Sequence, residues 1–253
     1  MRREGRDFAD ALKSAQQNGY AEADPTADIE GRDSCRKLAI LSSIAYNQFV
    51  DYKNIYTEGI SKLSLADMQY AEAMDSVIKL VAVSRREGDR IFARVSPAII
   101  SRNHPLSNVE DVFNAIVVRG NAIGDAMFYG RGAGKLPTAS AVVADIIDIA
   151  KHNDSSAGNI WIRKEYNNIV AIGDSETRYL VRVAVRNSGE AAKFIDKTFG
   201  KAEYISSGKK ELSGELAFTT PKATETKFSE CIDTLKGIGS IKEVINAIRI
   251  EED

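Results

Sequence analysis

Two cysteines, two histidines, one tryptophan and five prolines are few for a chain of 253 residues. Cys35 and Cys231 are far apart and share no C-x-x-C spacing, which excludes a disulfide framework and fits a reducing compartment. With only His104 and His152 beside them, the usual Cys/His zinc sites are excluded too. No apolar run approaches the ~18 residues of a membrane span. The opening MRREGRDFAD is charged where a signal peptide needs an apolar stretch, so a cytoplasmic protein with no membrane partner is expected. Charge of one sign is missing as well: 34 Lys and Arg against 36 Asp and Glu give a net charge of -2. No basic stripe appears, so no nucleic-acid partner is expected.

What is present is ordinary globular material, 43% hydrophobic and 28% charged, enough for one large domain or two smaller ones. A helical pattern already runs at Phe8, Leu12 and Ala15, as if the chain started inside a longer protein. Residues 7–18 read as an amphipathic helix ending at Gly19. A second helix is expected over 32–48, with Leu38, Leu41, Ile44 and Ala45 as its buried stripe. NIYTEGI (54–60) reads as a strand, and 64–74 as a helix with Ser64 and Asp67 forming a weak capping box. Two hairpins follow: 77–86 with 90–100 across EGD, and 115–120 with 125–130 across NAIG. A long apolar helix is expected over 137–153, with Pro137 near its start. Loop-like residues and one short strand occupy 153–176. From 177 the pattern becomes β-α-β-β-α-β, a ferredoxin-like unit. The fold class is therefore α+β: a mixed or antiparallel sheet covered by helices, then the βαββαβ unit. Tyr46, Phe49, Phe92, Phe113 and Trp161 are expected to pack in or near cores, and His104, before Pro105, to cap or lie at the surface.

Two segments carry chemistry. GYAEADPTADIEGRDSCRK (19–37) crowds five carboxylates, Glu22, Asp24, Asp28, Glu30 and Asp33, around Pro25 and Gly31. Asp33 and Lys37 share a helix face four residues apart. An exposed ion pair worth a few tenths of a kcal/mol is the plain account of such a pair. Packed against a core, however, the carboxylates would need a cation, and an ammonium group suits them. A lysine at the edge would then exchange a proton. Calcium is disfavoured because Asp24 to Asp28 breaks the EF-hand spacing. The second segment, FYGRGAGKLPT (128–138), sets Gly130, Gly132 and Gly134 ahead of a helix. It meets neither the P-loop spacing nor the dinucleotide fingerprint, so on its own it is a strand-to-helix turn.

The first segment resembles the signature of the homoserine dehydrogenase family, A-x3-G-aromatic-small-acid followed by P-x2-D-aliphatic-x-G-x-D-x3-K. Ala15, Gly19, Tyr20, Ala21, Glu22, Pro25, Asp28, Ile29, Gly31, Asp33 and Lys37 meet it. NIYTEGI, HPLSNVEDVFNAI and FYGRGAGKLPTASAVVADI are similar to later family segments, so the resemblance spans the chain. It implies interconversion of L-homoserine and L-aspartate 4-semialdehyde with NADP or NAD. Lys37 would be the acid/base, with Asp33 beside it. Glu22, Asp28, Asp33 and Tyr20 would bind substrate, and Gly19, Gly132 and Gly134 would approach the cofactor. No G-x-G-x-x-G strand-turn-helix unit occurs in the chain, so the cofactor domain is expected outside it and this chain alone is expected to be inactive. Residues 1–153 would be the catalytic and dimerisation domain, 154–176 a linker, and 177–253 an ACT-like regulatory domain with threonine as effector. In its strand-to-helix turn, 186–191, Gly189 is kept, but the usual proline is absent and Glu190 replaces an aliphatic residue. A homodimer is implied. The rival account is a non-catalytic amino-acid-sensing or dimerisation module.

Overall fold

Strand β3 (Arg90–Ser101) has partners on both edges and organises the molecule. It forms the expected hairpin with β2 (Ser76–Glu87), in register from Ser76 opposite Ser101 to Glu87 opposite Arg90. Its other partners are short and parallel. β1 (Tyr56–Thr57) pairs at Arg94 and Val95, and the end of β10 (Ile241–Ile250) pairs at Ala98 and Ile99. The computed structural model describes residues 5–18, 21–152, 168–209, 212 and 214–252. Part of the expected 153–176 segment, and Trp161 with it, lies outside them.

Through β10 the sheet continues into the C-terminal half, in the order β10, β6 (Glu176–Val185), β8 (Glu215–Thr219), β7 (Glu203–Ile205). All pairs within that half are antiparallel. Helices α6 (Ser188–Phe199) and α7 (Glu225–Lys236) complete the β-α-β-β-α-β order, with a short strand β9 (Ala223–Thr224) just before α7. One mixed sheet therefore serves both halves. Alternation along strands puts successive side chains on opposite faces. Tyr179, Val181 and Val183 of β6 pack with Ala191, Ile195, Ile232 and Leu235 of α6 and α7. Leu180 goes to the other face, with Ile99, Ile248 and Tyr70 of α4 (Leu65–Ala73).

The sheet begins to bury helix α3 (Arg32–Tyr46) at Ile91, Ala93 and Val95. Cys35, Leu38 and Ala39 meet them, and Ser42 and Ser43 are buried further along. This corrects the expected stripe: Leu41 and Ile44 are 42% and 50% exposed. A step of 100° per residue puts 35, 38, 39 and 42 on one face and turns 41 and 44 away from it. The expected strand at 54–60 is also shorter. Asp51 caps a 3-10 turn at Tyr52–Asn54, and beyond Thr57 the chain bends away, with Ile60 donating to the Ile29 carbonyl at 2.7 Å.

The second hairpin, β4 (Phe113–Gly120) with β5 (Gly124–Arg131), forms its own two-stranded sheet and does not join the main one. Helix α5 (Lys135–Lys151) follows, and none of its residues is buried. Ile116, Val118, Met127 and Phe128 on the hairpin and Val142, Val143, Ile146 and Ile149 on the helix are exposed. Among the described residues the long apolar helix thus covers no sheet. Phe113 is half-buried and stacked on Tyr129 with ring centroids 4.8 Å apart. Phe92 is buried, with Arg85 above its ring. His104 caps a 3-10 turn, its Nδ1 accepting from the Leu106 amide at 3.1 Å.

Buried ion pairs join the halves. The Asp67 carboxylate is fully buried on α4. It closes the capping box with Ser64 and accepts from Arg182 of β6 at 2.6 Å and from the Asn246 side chain at 3.1 Å. Arg182 reaches Glu215 as well, at 2.7 Å. Arg182→Met should cost about 3–5 kcal/mol, because it leaves a buried carboxylate without its cation. Urea unfolding measures this, and a loss below about 1 kcal/mol would show that the neutral donors suffice.

Candidate active site

The carboxylate loop is tied down at both ends. Asp7 caps helix α1 (Phe8–Gln17), accepting from the Asp10 amide at 2.9 Å. The Gln16 side chain donates to the Glu22 carbonyl at 3.0 Å. Gly19 and Tyr20 lie outside the described residues. Asp24 forms a local turn, accepting from the Thr26 hydroxyl at 2.6 Å and the Thr26 amide at 3.1 Å. The hydroxyl bond chiefly, then the amide bond, holds the Asp24 carboxyl below the usual aspartate range. Helix α2 (Thr26–Ile29) is a single turn.

The next turn needs its glycine. Gly31 precedes α3 at φ 70°, in the left-handed region, and a side chain there would meet the Val95 methyl at 3.1 Å. Gly59 packs from the other side, where a Cβ would fall 2.4 Å from the Ile29 carbonyl oxygen. The turn 29–31 therefore lies directly on the backbone of 57–60.

Two residues on, Asp33 Oδ2 and Lys37 Nζ are 2.7 Å apart, with side chains 44% and 65% exposed. The spacing that buries Cys35, Leu38 and Ala39 turns these two outward. Asp33 also stands in the first turn of α3, where a negative charge is favoured by the helix dipole. Glu22, Asp24 and Asp28 are exposed in this chain. Desolvation therefore does not force a cation on the cluster, and that part of the sequence argument falls. What the structure brings together is the Asp33–Lys37 pair at the end of a loop rich in acceptors: an ammonium donor beside carboxylates, open to a ligand.

The glycine segment has local reasons for its composition. Gly134 starts α5 at φ 119°, which other residues rarely adopt. The Gly132 amide donates to the Val112 carbonyl at 3.1 Å, and the Asn114 side chain fills the space a Cβ would take. Neither glycine by itself marks a cofactor. Among the described residues no group of His, Cys, Asp and Glu is arranged to hold a metal ion, and no helix is long and apolar enough to cross a membrane. Sequence reasoning assigned no role to Glu58 or Arg249. Glu58 sits inside a segment it had singled out, whereas nothing in the local pattern around Arg249 signals its long-range partners.

The fold and this loop define an α+β protein with an exposed aspartate–lysine pair in the first turns of the helix that follows a glycine turn at the edge of its sheet. Residues 1–147 match the family described as Homoserine dehydrogenase. The chain belongs to the homoserine dehydrogenase family. It is 38% identical over 263 aligned positions to the homoserine dehydrogenase of Mycobacterium tuberculosis strain H37Rv, covering 98% of this chain and 60% of that protein. With the Bacillus subtilis homoserine dehydrogenase it shares 32% identity, covering 99% and 60%. The crystal structure of a homoserine dehydrogenase from Thiobacillus denitrificans superposes with a TM-score of 0.85 at 33% identity, covering 98% of this chain and 59% of that one. The chain thus spans about 60% of the length of these relatives.

Replacing Thr26 by Ala removes the hydroxyl bond to Asp24 and should raise the Asp24 pKa toward its ordinary value near 3.8. A carboxyl-detected NMR titration measures it. An unmoved midpoint would mean that the hydroxyl does not hold this turn in solution.

Proposed function

We propose that this chain is the substrate-binding and proton-transfer part of an NAD(P)-dependent homoserine dehydrogenase, an oxidoreductase of threonine, methionine and isoleucine biosynthesis acting in the cytoplasm. The observation that carries this is the Asp33–Lys37 pair at 2.7 Å on the family's own loop. The substrates are L-homoserine and L-aspartate 4-semialdehyde. Glu22 and Asp28, with Tyr20, accept the substrate ammonium group. Lys37 stands at the other end, where the oxygen on the reacting carbon gains or loses a proton. As the alcohol is oxidised the neutral amine takes the hydroxyl proton, and in the reverse direction the ammonium returns it. Asp33 holds the lysine in place by its ion pair.

A bound nicotinamide would supply the hydride acceptor. Among the described residues no strand, glycine turn and helix follow one another with the spacing of a dinucleotide site. Gly19, Gly132 and Gly134 would contribute at most backbone approach at the nicotinamide end. We place the remaining contacts in a segment outside this chain. NAD and NADP are therefore both compatible with it.

In the complete dehydrogenase, Lys37→Ala should lower homoserine oxidation about 10²–10⁴-fold, the usual worth of a positioned acid/base. Cofactor absorbance follows the rate. The melting temperature should hardly move, since an exposed pair contributes only a few tenths of a kcal/mol. Wild-type turnover in the variant would overturn the role of Lys37.

Residues 1–153 serve in this account as the catalytic and dimerisation unit, with 154–176 as connection and 177–253 as an ACT-like regulatory unit, although one sheet runs through both halves. The apolar side chains exposed on the hairpin and on α5 support a homodimer, because apolar surface left uncovered to this extent marks an interaction surface. L-Threonine is the effector the family suggests for the C-terminal unit. Sedimentation and thermal melting with and without L-threonine check both points. A mass of two chains and a raised melting temperature are expected. A one-chain mass removes the dimer, and an unmoved melting temperature removes the effector.

A further inference from the structure

The turn that carries the site rests on 57–60, and 57–60 is held from the C-terminal half. Glu58 donates its amide to the Val95 carbonyl at 2.8 Å. Its neighbours Thr57 and Gly59 touch the 29–31 turn. The Glu58 side chain leaves this edge and pairs with Arg249, near the end of β10. The Tyr56 hydroxyl also reaches Glu58, at 3.2 Å.

Arg249 is itself fixed on every side. Its side chain is 5% exposed. Glu225, the first residue of α7, accepts from its Nε and a terminal nitrogen at 2.7 and 2.8 Å, a bidentate pair. The guanidinium lies over the rings of Tyr56 and Tyr179, 4.9 and 5.4 Å from their centroids. Close by, Arg94 pairs with Glu251. The register explains why these groups meet. Tyr56 lies opposite Arg94, which sets Glu58 beside Ser96, and Arg249 lies opposite Ala98, two residues further along the same edge of β3.

We propose that Glu58 and Arg249 are positioning residues for the active site: a buried clamp by which the C-terminal unit holds the platform under the Asp28–Lys37 loop. Neither group touches substrate. Arg249 fixes the Glu58 side chain, and the rigid backbone from Thr57 to Ile60 then fixes Ile29 to Gly31. The site role of that loop rests on the function proposed above. The clamp itself does not.

Two measurements separate these claims. The first is hydrogen exchange at the Ile60 amide, which donates to Ile29 and reports directly on the contact between platform and loop. Glu58→Gln and Arg249→Gln should speed exchange there by about tenfold or more, while the amides of β6 and β8 keep their protection. Arg249→Lys should restore part of the protection, since it keeps the charge and loses the bidentate geometry. The second is steady-state kinetics of the complete dehydrogenase carrying Glu58→Gln. The KM for homoserine should rise about tenfold while the KM for the nicotinamide cofactor stays within about twofold, as expected for misplaced substrate groups. Unchanged exchange at Ile60, or acceleration spread evenly over the sheet, would overturn the clamp. So would equal rises in both KM values. If the wild-type enzyme does not oxidise homoserine, the function proposed above fails, and the exchange result still decides the clamp.

Discussion

A strand has two edges, and β3 divides one of them among three partners, the first an isolated parallel bridge between Ile91 and Ile169. β2 takes the whole of the first edge, while β1 takes Arg94 and Val95 on the second and the end of β10 takes Ala98 and Ile99. Every backbone donor and acceptor of a buried strand needs a partner, so neither short strand can be removed without exposing part of this core. That sharing brings residue 58, next to the site, and residue 249, near the chain's end, side by side. The remaining contacts between the halves, the α4 packing and the arginine pairs, follow from it.

Arginines fill positions where the sheet would otherwise take aliphatic residues. The side chains of Arg94, Arg182 and Arg249 are each about one-twentieth exposed. Buried pairs of this kind are not a simple source of stability, since desolvation offsets much of the attraction. What they confer is selectivity. Asp67 accepts only a partner that brings a cation to the end of α4, and Arg249 only a geometry that presents Glu58 and Glu225 together. A slip of β10 by one residue along β3 would send Arg249 to the opposite face, among Ile99 and Leu180. The ion pairs thus set the register that hydrophobic packing alone specifies less sharply.

Local chemistry was legible in the sequence and long-range pairing was not. The Ser64/Asp67 capping box, the turns at 88–89 and 121–123, and the β-α-β-β-α-β order all arise from neighbouring residues. The turn of the carboxylate loop was legible for the same reason, with Gly31 where the backbone requires a glycine. The side of α3 that is buried was not legible, because Leu41 and Ile44 are as apolar as Leu38, and only the position of β3 decides between the two faces. The union of the two sheets was invisible as well. Nothing in IRIEE announces a parallel neighbour some 150 residues away, although Arg249 amid apolar residues is the kind of local conflict that marks a tertiary constraint.

Exposure of the site has a consequence for its chemistry. A lysine exchanging protons near neutral pH needs a lowered pKa, and burial is the usual means. In this chain the Lys37 side chain is 65% exposed, with Asp33 beside it. Glu22, Asp24 and Asp28 are exposed as well, in a screened, high-dielectric setting where attraction for an ammonium group is weak. On the function proposed above, the loop would supply groups for the reaction without the dry environment that makes such groups effective. A cover over the loop would exclude water and so strengthen the carboxylates' hold on a bound ammonium group. Such a cover works only over a turn that keeps its shape, so the turn has to be held from beneath. On this chain that support is the 57–60 platform and the buried side chains beneath it.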